Sequence, residues 1–202
     1  MKISDRAHKH LSQDPIMKQL IDTYELPGWS YDKNLFLELV ESIIGQQLSV
    51  KAADTITRRF KEAVGSETPT PEQILAIDDD TLRAAGNSYS KIKYIKGICV
   101  AVVNKEIDFE SFRNMEDEEV ITELIQLKGV GRWTAEMFLM FSFGREDVFS
   151  LGDLGLRNAV ARLYNVDRDD LKAIEEISIQ WKPYRSLASR YLWKSLDNTP
   201  KE

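Results

Sequence analysis

Cysteine and histidine are scarce in this 202-residue chain, which has one cysteine, Cys99, and two histidines, His8 and His10. A single cysteine excludes an internal disulfide, and so few ligands exclude a Cys/His zinc site and an iron–sulfur cluster. Long apolar runs are also missing, since none approaches the roughly 18 residues of a membrane span. The polar start MKISDRAHKHLSQ lacks the apolar segment of a secretory signal. These absences favour an intracellular protein.

An excess of positive charge is absent as well, because the net charge is -6 and the isoelectric point is about 5.2. This balance argues against broad binding to polyanions. The charge is uneven: residues 128–202 carry twelve Lys/Arg against eleven Asp/Glu, whereas residues 1–127 carry fifteen against twenty-two. Any surface for nucleic acid is therefore expected to be local and built from a few basic residues and backbone amides.

Alternating strand patterns are missing, and helical periodicity takes their place. Apolar residues recur at i, i+3, i+4, i+7 and i+8 in four stretches: 36–44, 95–103, 156–164 and 184–192. Ser49 is suited to begin a helix that Gly65 ends, and Thr70 before a proline begins another. The pattern predicts an all-α fold of about ten helices.

A glycine-containing turn lies between two predicted helices, in the segment LKGVGRWT at 127–134. Gly129 and Gly131 allow positive φ and leave no Cβ to obstruct a ligand. Such a turn presents backbone N–H groups at the start of the next helix, where a phosphate binds well, while its carbonyls can face a monovalent cation. An ordinary helix–helix turn fits the same residues.

An acidic residue precedes the third apolar stretch, in the segment VFSLGDLGL at 148–156. Asp153 stands directly before that predicted helix and is suited to be its N-cap. The alternative interpretation is a catalytic carboxylate that is held at the start of the helix.

These two segments, about 22 residues apart, together resemble the helix–hairpin–helix DNA glycosylase superfamily. The segment IIGQQLS at 43–49 is similar to the N-terminal motif of that family. The segment WKPYRSLA at 181–188, continuing to Trp193, is similar to the C-terminal helix of the 3-methyladenine glycosylase II branch, which repairs alkylation damage. The four blocks run from about residue 36 to 196 in the family's order.

The resemblance implies a catalytic role for Asp153. Breaking a base–sugar bond builds positive charge on the deoxyribose, and a fixed carboxylate stabilises that charge and orients or deprotonates water. Relatives that also cut the DNA strand carry a lysine where this chain has Trp133, and several hold an iron–sulfur cluster on four cysteines. Because an indole is no amine nucleophile, the resemblance implies a monofunctional enzyme without a cluster.

The resemblance also assigns base binding to Trp133 and Trp193, with Met137 one helical turn beyond Trp133. Bases methylated at N3 or N7 are electron-poor cations, and indole faces attract them by about 1–2 kcal/mol each. This favours alkylated purines over uracil or 8-oxoguanine. Met137 replaces an aromatic of some relatives, and Gly152 replaces a polar residue of many. Packing in the core is the alternative role for Trp193.

Two DNA-contacting loops follow from the resemblance. Residues 46–48, which are Gln46, Gln47 and Leu48, match the wedge that fills the space of a flipped base. Gln47 best matches the plug, Leu48 competes with it, and a plain surface loop is the alternative. At the turn, phosphate contacts are implied for Gly129, Gly131, Arg132 and Thr134. The backbone carbonyls of Ile125, Leu127 and Val130 are implied ligands of a sodium or potassium ion, and no other cofactor is expected.

The expected architecture has two lobes, residues 36–113 and residues 1–35 plus 114–202, with a helix–hairpin–helix motif and a central cleft. Residues 1–30 are expected to pack beside the C-terminal helices, with Trp29 facing either the DNA or the core. The chain resembles a minimal form of the branch, without the N-terminal β domain of its larger members.

The leading hypothesis is a monomeric, monofunctional DNA glycosylase of base excision repair, acting in a nucleoid or a nucleus. It hydrolyses the N-glycosidic bond of flipped-out 3-methyladenine or 7-methylguanine in double-stranded DNA. One alternative is a noncatalytic protein that binds abasic or damaged DNA through the same hairpin and wedge, and another is a helical adaptor. Asp153 favours the enzyme, because a pure binder needs no carboxylate there.

Overall fold

The structure is a computed structural model that describes residues 5–28 and 34–197, so Trp29 lies outside the described residues. Within these ranges the chain forms twelve α-helices, one 3-10 helix and one π-helix, with no strand, which confirms the predicted all-α class. The helices are α1 (Asp5–Leu11), α2 (Pro15–Thr23), α3 (Leu35–Gly45), α4 (Val50–Val64), α5 (Pro71–Ala76), α6 (Asp79–Ala84), α7 (Tyr89–Val103), α8 (Asp117–Leu124), α9 (Arg132–Phe138), α10 (Leu154–Tyr164), α11 (Leu171–Ile179) and α12 (Arg185–Leu196). The 3-10 helix spans Ser111–Asn114 and the π-helix spans Leu139–Phe143. Among the described residues, no helix is both long enough and apolar enough to span a bilayer.

The chain divides into two compact units, which are residues 33–138 (unit 2) and residues 1–32 with 139–202 (unit 1). The second boundary differs from the expected one, because residues 114–138 belong to unit 2. The physical reason is the packing of α9, which contacts both α3 and α8. The glycine-containing turn therefore belongs to the same unit as α3.

The helix ends of unit 2 follow the predicted capping signals. Ser49 accepts a hydrogen bond from the Ala52 amide at the start of α4, and Gly65 ends that helix in the left-handed conformation with φ 78°. Thr70 forms a capping box with Gln73 at the start of α5. These local bonds satisfy backbone groups that a helix end leaves unpaired.

The core of unit 1 confirms that the N-terminal residues pack beside the C-terminal helices. α2 packs against α12, and its buried residues join one apolar cluster with those of α10 and α12. The N-cap residue of α2, Asp14, accepts hydrogen bonds from the Tyr164 hydroxyl and from Nε1 of the fully buried Trp181, the latter at 3.0 Å. One carboxylate thus joins the N-terminal segment to the C-terminal motif.

The remaining residues of the C-terminal motif support the segment that leads to Asp153. The Arg185 guanidinium donates to both carboxylate oxygens of Asp147, at 2.8 and 2.9 Å. The hydroxyl of buried Ser186 donates to the Arg145 carbonyl at 2.6 Å and accepts from the Val148 amide at 2.9 Å. Residues 145–148 are consequently attached to the start of α12.

Candidate active site

Asp153 is the N-cap of α10, and its carboxylate has two donors on one oxygen. The Leu156 amide donates to Oδ1 at 2.7 Å, which is the capping bond. The Trp193 indole N–H donates to the same Oδ1 at 2.9 Å, from forty positions further along the chain. Asp153 is therefore a helix cap whose carboxylate is oriented by the capping bond. This geometry is compatible with a purely structural role and with a catalytic one.

Gly155 makes room for the contact between Asp153 and Trp193. A Cβ on residue 155 would lie 3.0 Å from Asp153 Oδ1 and 3.1 Å from Trp193 Cδ1. These distances are shorter than ordinary contacts, so a larger residue would push the indole or the carboxylate aside. The second glycine of the GDLG segment is therefore a requirement of close packing.

The Trp193 ring belongs to a small aromatic group in unit 1. Its centroid lies 5.7 Å from that of Phe141, with an angle of 31° between the rings, and Phe141 is partly exposed at 37%. Trp193 itself is half-buried. The side chain thus differs from a simple core residue, because its N–H is committed to the carboxylate and its ring borders an exposed aromatic.

The glycine-containing turn of unit 2, residues 125–131, joins α8 to α9. The Val130 amide donates to the Leu127 carbonyl at 3.0 Å, and the Ala135 amide donates to the Gly131 carbonyl at 3.0 Å. Only one of the two glycines uses its conformational freedom, because Gly129 has φ 92° whereas Gly131 does not have positive φ. A Cβ at residue 131 would meet no protein atom within 4 Å, so that position opens outward.

The side chains around the turn differ in their availability. The Arg132 guanidinium donates to both carboxylate oxygens of Glu118 and, through Nε, to Glu136 at 2.9 Å. This contact holds the pKa of Glu118 below its usual value, the hydrogen bond from Arg132 being the largest cause. Because two carboxylates already pair with Arg132, the cation is less suited to phosphate than its position suggests. Thr134 is buried.

Trp133 and Met137 lie one turn apart on α9. Trp133 is 47% exposed, which is unusual for so large an apolar side chain, and Met137 is half-buried. Both belong to unit 2, whereas Asp153 and Trp193 belong to unit 1. Within unit 2 the structure thus places Trp133 and Met137 on one helix, and within unit 1 it joins Asp153 and Trp193 by a hydrogen bond.

The two neighbouring glutamines of the loop at 46–48 differ in burial and in contacts. Gln46 is half-buried, and its side-chain amide donates to the Gly129 carbonyl at 2.9 Å. Gln47 is exposed and adopts the left-handed conformation with φ 60°, and Leu48 is 37% exposed. A left-handed glutamine is strained by about 1–3 kcal/mol, and such strain concentrates at functional positions. Gln46 thus connects the loop to the turn, and Gln47 is presented outward.

Three residues around these features were not predicted from the sequence: Gly155, Phe141 and Lys91. Gly155 has a sequence signal, since a glycine inside the first turn of an apolar helix weakens it unless packing requires it. Phe141 and Lys91 have no such signal in the sequence, because the residues that they contact are distant along the chain. The Lys91 ammonium, for example, bonds to carbonyls of residues 44 and 46.

Comparison with known proteins points to one family. The model of the HhH-GPD superfamily base excision DNA repair protein matches residues 40–183. DNA-3-methyladenine glycosylase 1 of Schizosaccharomyces pombe is 38% identical over 180 residues, which cover 88% of this chain and 79% of that protein. The protein YfjP of Bacillus subtilis is 34% identical over 173 residues, which cover 82% of this chain and only 60% of YfjP.

Solved structures agree with the sequence comparison. A DNA-3-methyladenine glycosidase from Bacillus halodurans superposes with a TM-score of 0.85 at 38% identity, covering 96% of this chain and 90% of that one. The Mag1 3-methyladenine glycosylase of Schizosaccharomyces pombe, in complex with abasic DNA, superposes with a TM-score of 0.82 at 35% identity, covering 95% and 97%. The fold, the site and these relatives together show that the chain belongs to the HhH-GPD superfamily of base excision DNA repair proteins.

Proposed function

We propose that the protein is a monofunctional, monomeric DNA glycosylase that hydrolyses the N-glycosidic bond of flipped-out alkylated purines in double-stranded DNA and leaves an abasic site. The single observation that carries this proposal is Asp153, whose carboxylate is held by the Leu156 amide and the Trp193 indole. A fixed carboxylate is what a developing oxocarbenium ion requires. The relatives named as DNA-3-methyladenine glycosylases support the same substrate class.

Trp133 supports hydrolysis without strand cleavage. A lyase step needs an amine that attacks the sugar and forms a Schiff base, and the indole of Trp133 has none. Its exposed ring instead offers a face to an electron-poor base, with Met137 one turn away as a flexible apolar neighbour. Alkylation at N3 or N7 already weakens the glycosidic bond, so this class of base needs little acid catalysis.

The two loops of unit 2 supply the DNA contacts of the proposed enzyme. Gln47 projects from residues 46–48 and would fill the space that the flipped base leaves. Amides at Gly129 and Gly131 would approach phosphates, and the outward opening at residue 131 gives a phosphate room there. Thr134, being buried, would contribute through its backbone.

A sodium or potassium ion at residues 125–131 belongs to the same proposal. The carbonyl oxygens of Ile125, Leu127 and Val130 are neutral hard donors, which suit a monovalent cation. Leu127 O accepts one hydrogen bond, from the Val130 amide, and a carbonyl oxygen has a second lone pair for an ion. Such an ion would supply positive charge beside the phosphate-binding amides.

Asp153→Asn tests the carboxylate. The amide oxygen keeps an acceptor for the Leu156 and Trp193 donors, whereas the negative charge is lost. We expect base release to fall by about 10²–10³-fold, with folding and affinity for an abasic duplex retained. The measurement uses duplexes that each carry one modified purine, with product sizing before and after alkali.

Wild-type strand breaks that need no alkali would contradict the monofunctional assignment. If Asp153→Asn releases bases as fast as the wild type, the carboxylate has no part in the reaction. A wild type that binds abasic DNA and releases none of the tested bases would instead support the noncatalytic alternative.

Trp193→Phe tests positioning of the carboxylate. Phenylalanine keeps an aromatic ring but has no N–H for Asp153, so we expect kcat to fall about tenfold while KM changes little. Gly155→Ala should also lower kcat, because the added Cβ crowds the Asp153 carboxylate and the Trp193 indole. Phe141→Leu is the control, since it alters the aromatic neighbour and keeps the N–H. An effect of Trp193→Phe on KM alone would show that the ring acts by stacking.

Gln47→Gly tests the wedge. Glycine adopts φ 60° without strain, so the free energy of unfolding should stay the same or rise by up to about 1 kcal/mol. Affinity for an abasic duplex should nevertheless fall, because the plug is gone. Asn165→Gly, at another left-handed position with φ 55°, is the control and should leave affinity unchanged. Retained affinity in Gln47→Gly, with a loss in Leu48→Ala, would identify Leu48 as the wedge.

Replacement of the cation tests the proposed ion. Affinity for an abasic duplex is measured in potassium, sodium and tetramethylammonium chloride at one ionic strength, so that general screening is constant. We expect weaker binding in tetramethylammonium, which is too large to be coordinated by the three carbonyls. Equal affinity in all three salts would remove the ion from the proposal.

A further inference from the structure

Lys91, on α7, places its ammonium group at the C-terminal end of α3. Nζ donates to the Ile44 carbonyl and to the Gln46 carbonyl, each at 2.8 Å. A cation is favourable at this end of a helix, where carbonyls lack partners from within the helix. Gln46 is the C-cap of α3 and the first residue of the loop at 46–48. The ammonium therefore holds the backbone from which the wedge begins.

Tyr94 lies three residues after Lys91, on the same face of α7. Its side chain packs directly against Gly129 in the turn at 125–131. A Cβ on residue 129 would lie 2.9 Å from Tyr94 Cβ and still closer to two ring carbons. Only glycine allows this approach, and its φ of 92° also favours glycine. One face of α7 thus supports both DNA-contacting loops.

A direct bond between the loops completes this arrangement. The side-chain amide of Gln46 donates to the Gly129 carbonyl at 2.9 Å. Lys91 holds the backbone of Gln46, the Gln46 side chain holds Gly129, and Gly129 lies on Tyr94. All four residues belong to unit 2. The loop and the turn are therefore linked through one helix and not only through each other.

We propose that Lys91 is a positioning residue that fixes the wedge loop relative to the phosphate-binding turn, and so couples DNA gripping to insertion of the wedge. This inference rests on the proposed function, which assigns DNA contacts to the two loops. The physical need is geometric: a plug enters the duplex at the flipped base only if its distance from the bound phosphates is constant. A loop with a left-handed glutamine requires such support.

The contacts of Lys91 distinguish it from a phosphate-binding lysine. Two carbonyls already accept from its ammonium, and the side chain is half-buried. Burial lowers the pKa of Lys91, because desolvation disfavours the charged form of the ammonium. Lys93, two residues further along α7, is exposed and serves as a matched control of equal charge.

The test compares Lys91→Met with Lys93→Met, which remove the same charge from the same helix. Affinities are measured for an undamaged duplex and for a duplex with one abasic-site analogue, across a salt series. We expect both variants to bind undamaged DNA equally. Lys91→Met should bind the abasic duplex about tenfold more weakly than Lys93→Met, because two hydrogen bonds from a charged donor are lost.

Lys91→Gln keeps an N–H donor on a shorter, neutral side chain and should give an intermediate loss. It also replaces Lys91→Met in every comparison if that variant does not fold. The fluorescence of a 2-aminopurine next to the abasic site reports insertion of the wedge. The change in this fluorescence on protein binding should be smaller in the variants that bind the abasic duplex more weakly. A loss of global stability alone would leave the ratio of abasic to undamaged affinity unchanged in the folded protein.

Two results would overturn the inference. Equal abasic-to-undamaged ratios in the Lys91 and Lys93 variants would show that the ammonium is dispensable for the wedge. A parallel loss on both duplexes, with a salt slope shallower by about one, would identify Lys91 as a phosphate contact.

Hydrogen exchange of the free protein separates this inference from the proposed function. Lys91→Met should speed exchange at the amides of residues 46–49 and 129–130, and Lys93→Met should not. Unchanged exchange there would contradict the positioning role even if base release were found. Faster exchange in a protein that releases no tested base would support the role of Lys91 and refute the glycosylase assignment.

Discussion

The acceptance of two hydrogen bonds by one oxygen of Asp153 is the interaction on which the candidate site depends. The Leu156 amide gives Asp153 the orientation of a helix cap, and the Trp193 indole adds a second, independent direction. A carboxylate that is held by two donors has little freedom to rotate, so its charge lies at a defined point relative to α10. In the proposed reaction, electrostatic stabilisation of a cationic sugar needs a charge at a fixed position, because reorganising charges during a reaction costs free energy.

Several contacts of unit 1 hold the helix that carries Trp193 beside Asp153. α12 carries the indole, and the Arg185 and Ser186 side chains at its start attach it to residues 145–148, shortly before Asp153. Buried Trp181 and the capping residue Asp14 secure the same region to the N-terminal helices. The C-terminal motif therefore supports this region through Trp181, Arg185 and Ser186, and its Trp193 contacts the carboxylate.

Unit 2 holds two short loops beside each other, which are residues 46–48 and residues 125–131. Residues 46–48 and residues 125–131 each contain one residue with positive φ, which is Gln47 in the first and Gly129 in the second. α7 supports both, through a lysine for one loop and a tyrosine for the other. A long regular helix is suited to this task because its side chains three residues apart share one face at a constant spacing.

The sequence alone determined the local features and the family. Apolar periodicity and capping residues indicated the helices, and the order of four motifs indicated the superfamily, because each is a property of neighbouring residues. Asp153 was identified as a cap and as a catalytic candidate for the same reason. The structure divides the chain after residue 138 and not after the expected residue 113, since the packing of α9 on α3 joins residues that are far apart in the chain. Only the tertiary structure decided that Trp193 donates to Asp153, that Arg132 is paired with Glu118, and that Lys91 donates to the backbone carbonyls of residues 44 and 46. Such contacts depend on how helices pack, and no local pattern of residues specifies the partner of a side chain that lies 14 to 47 positions away.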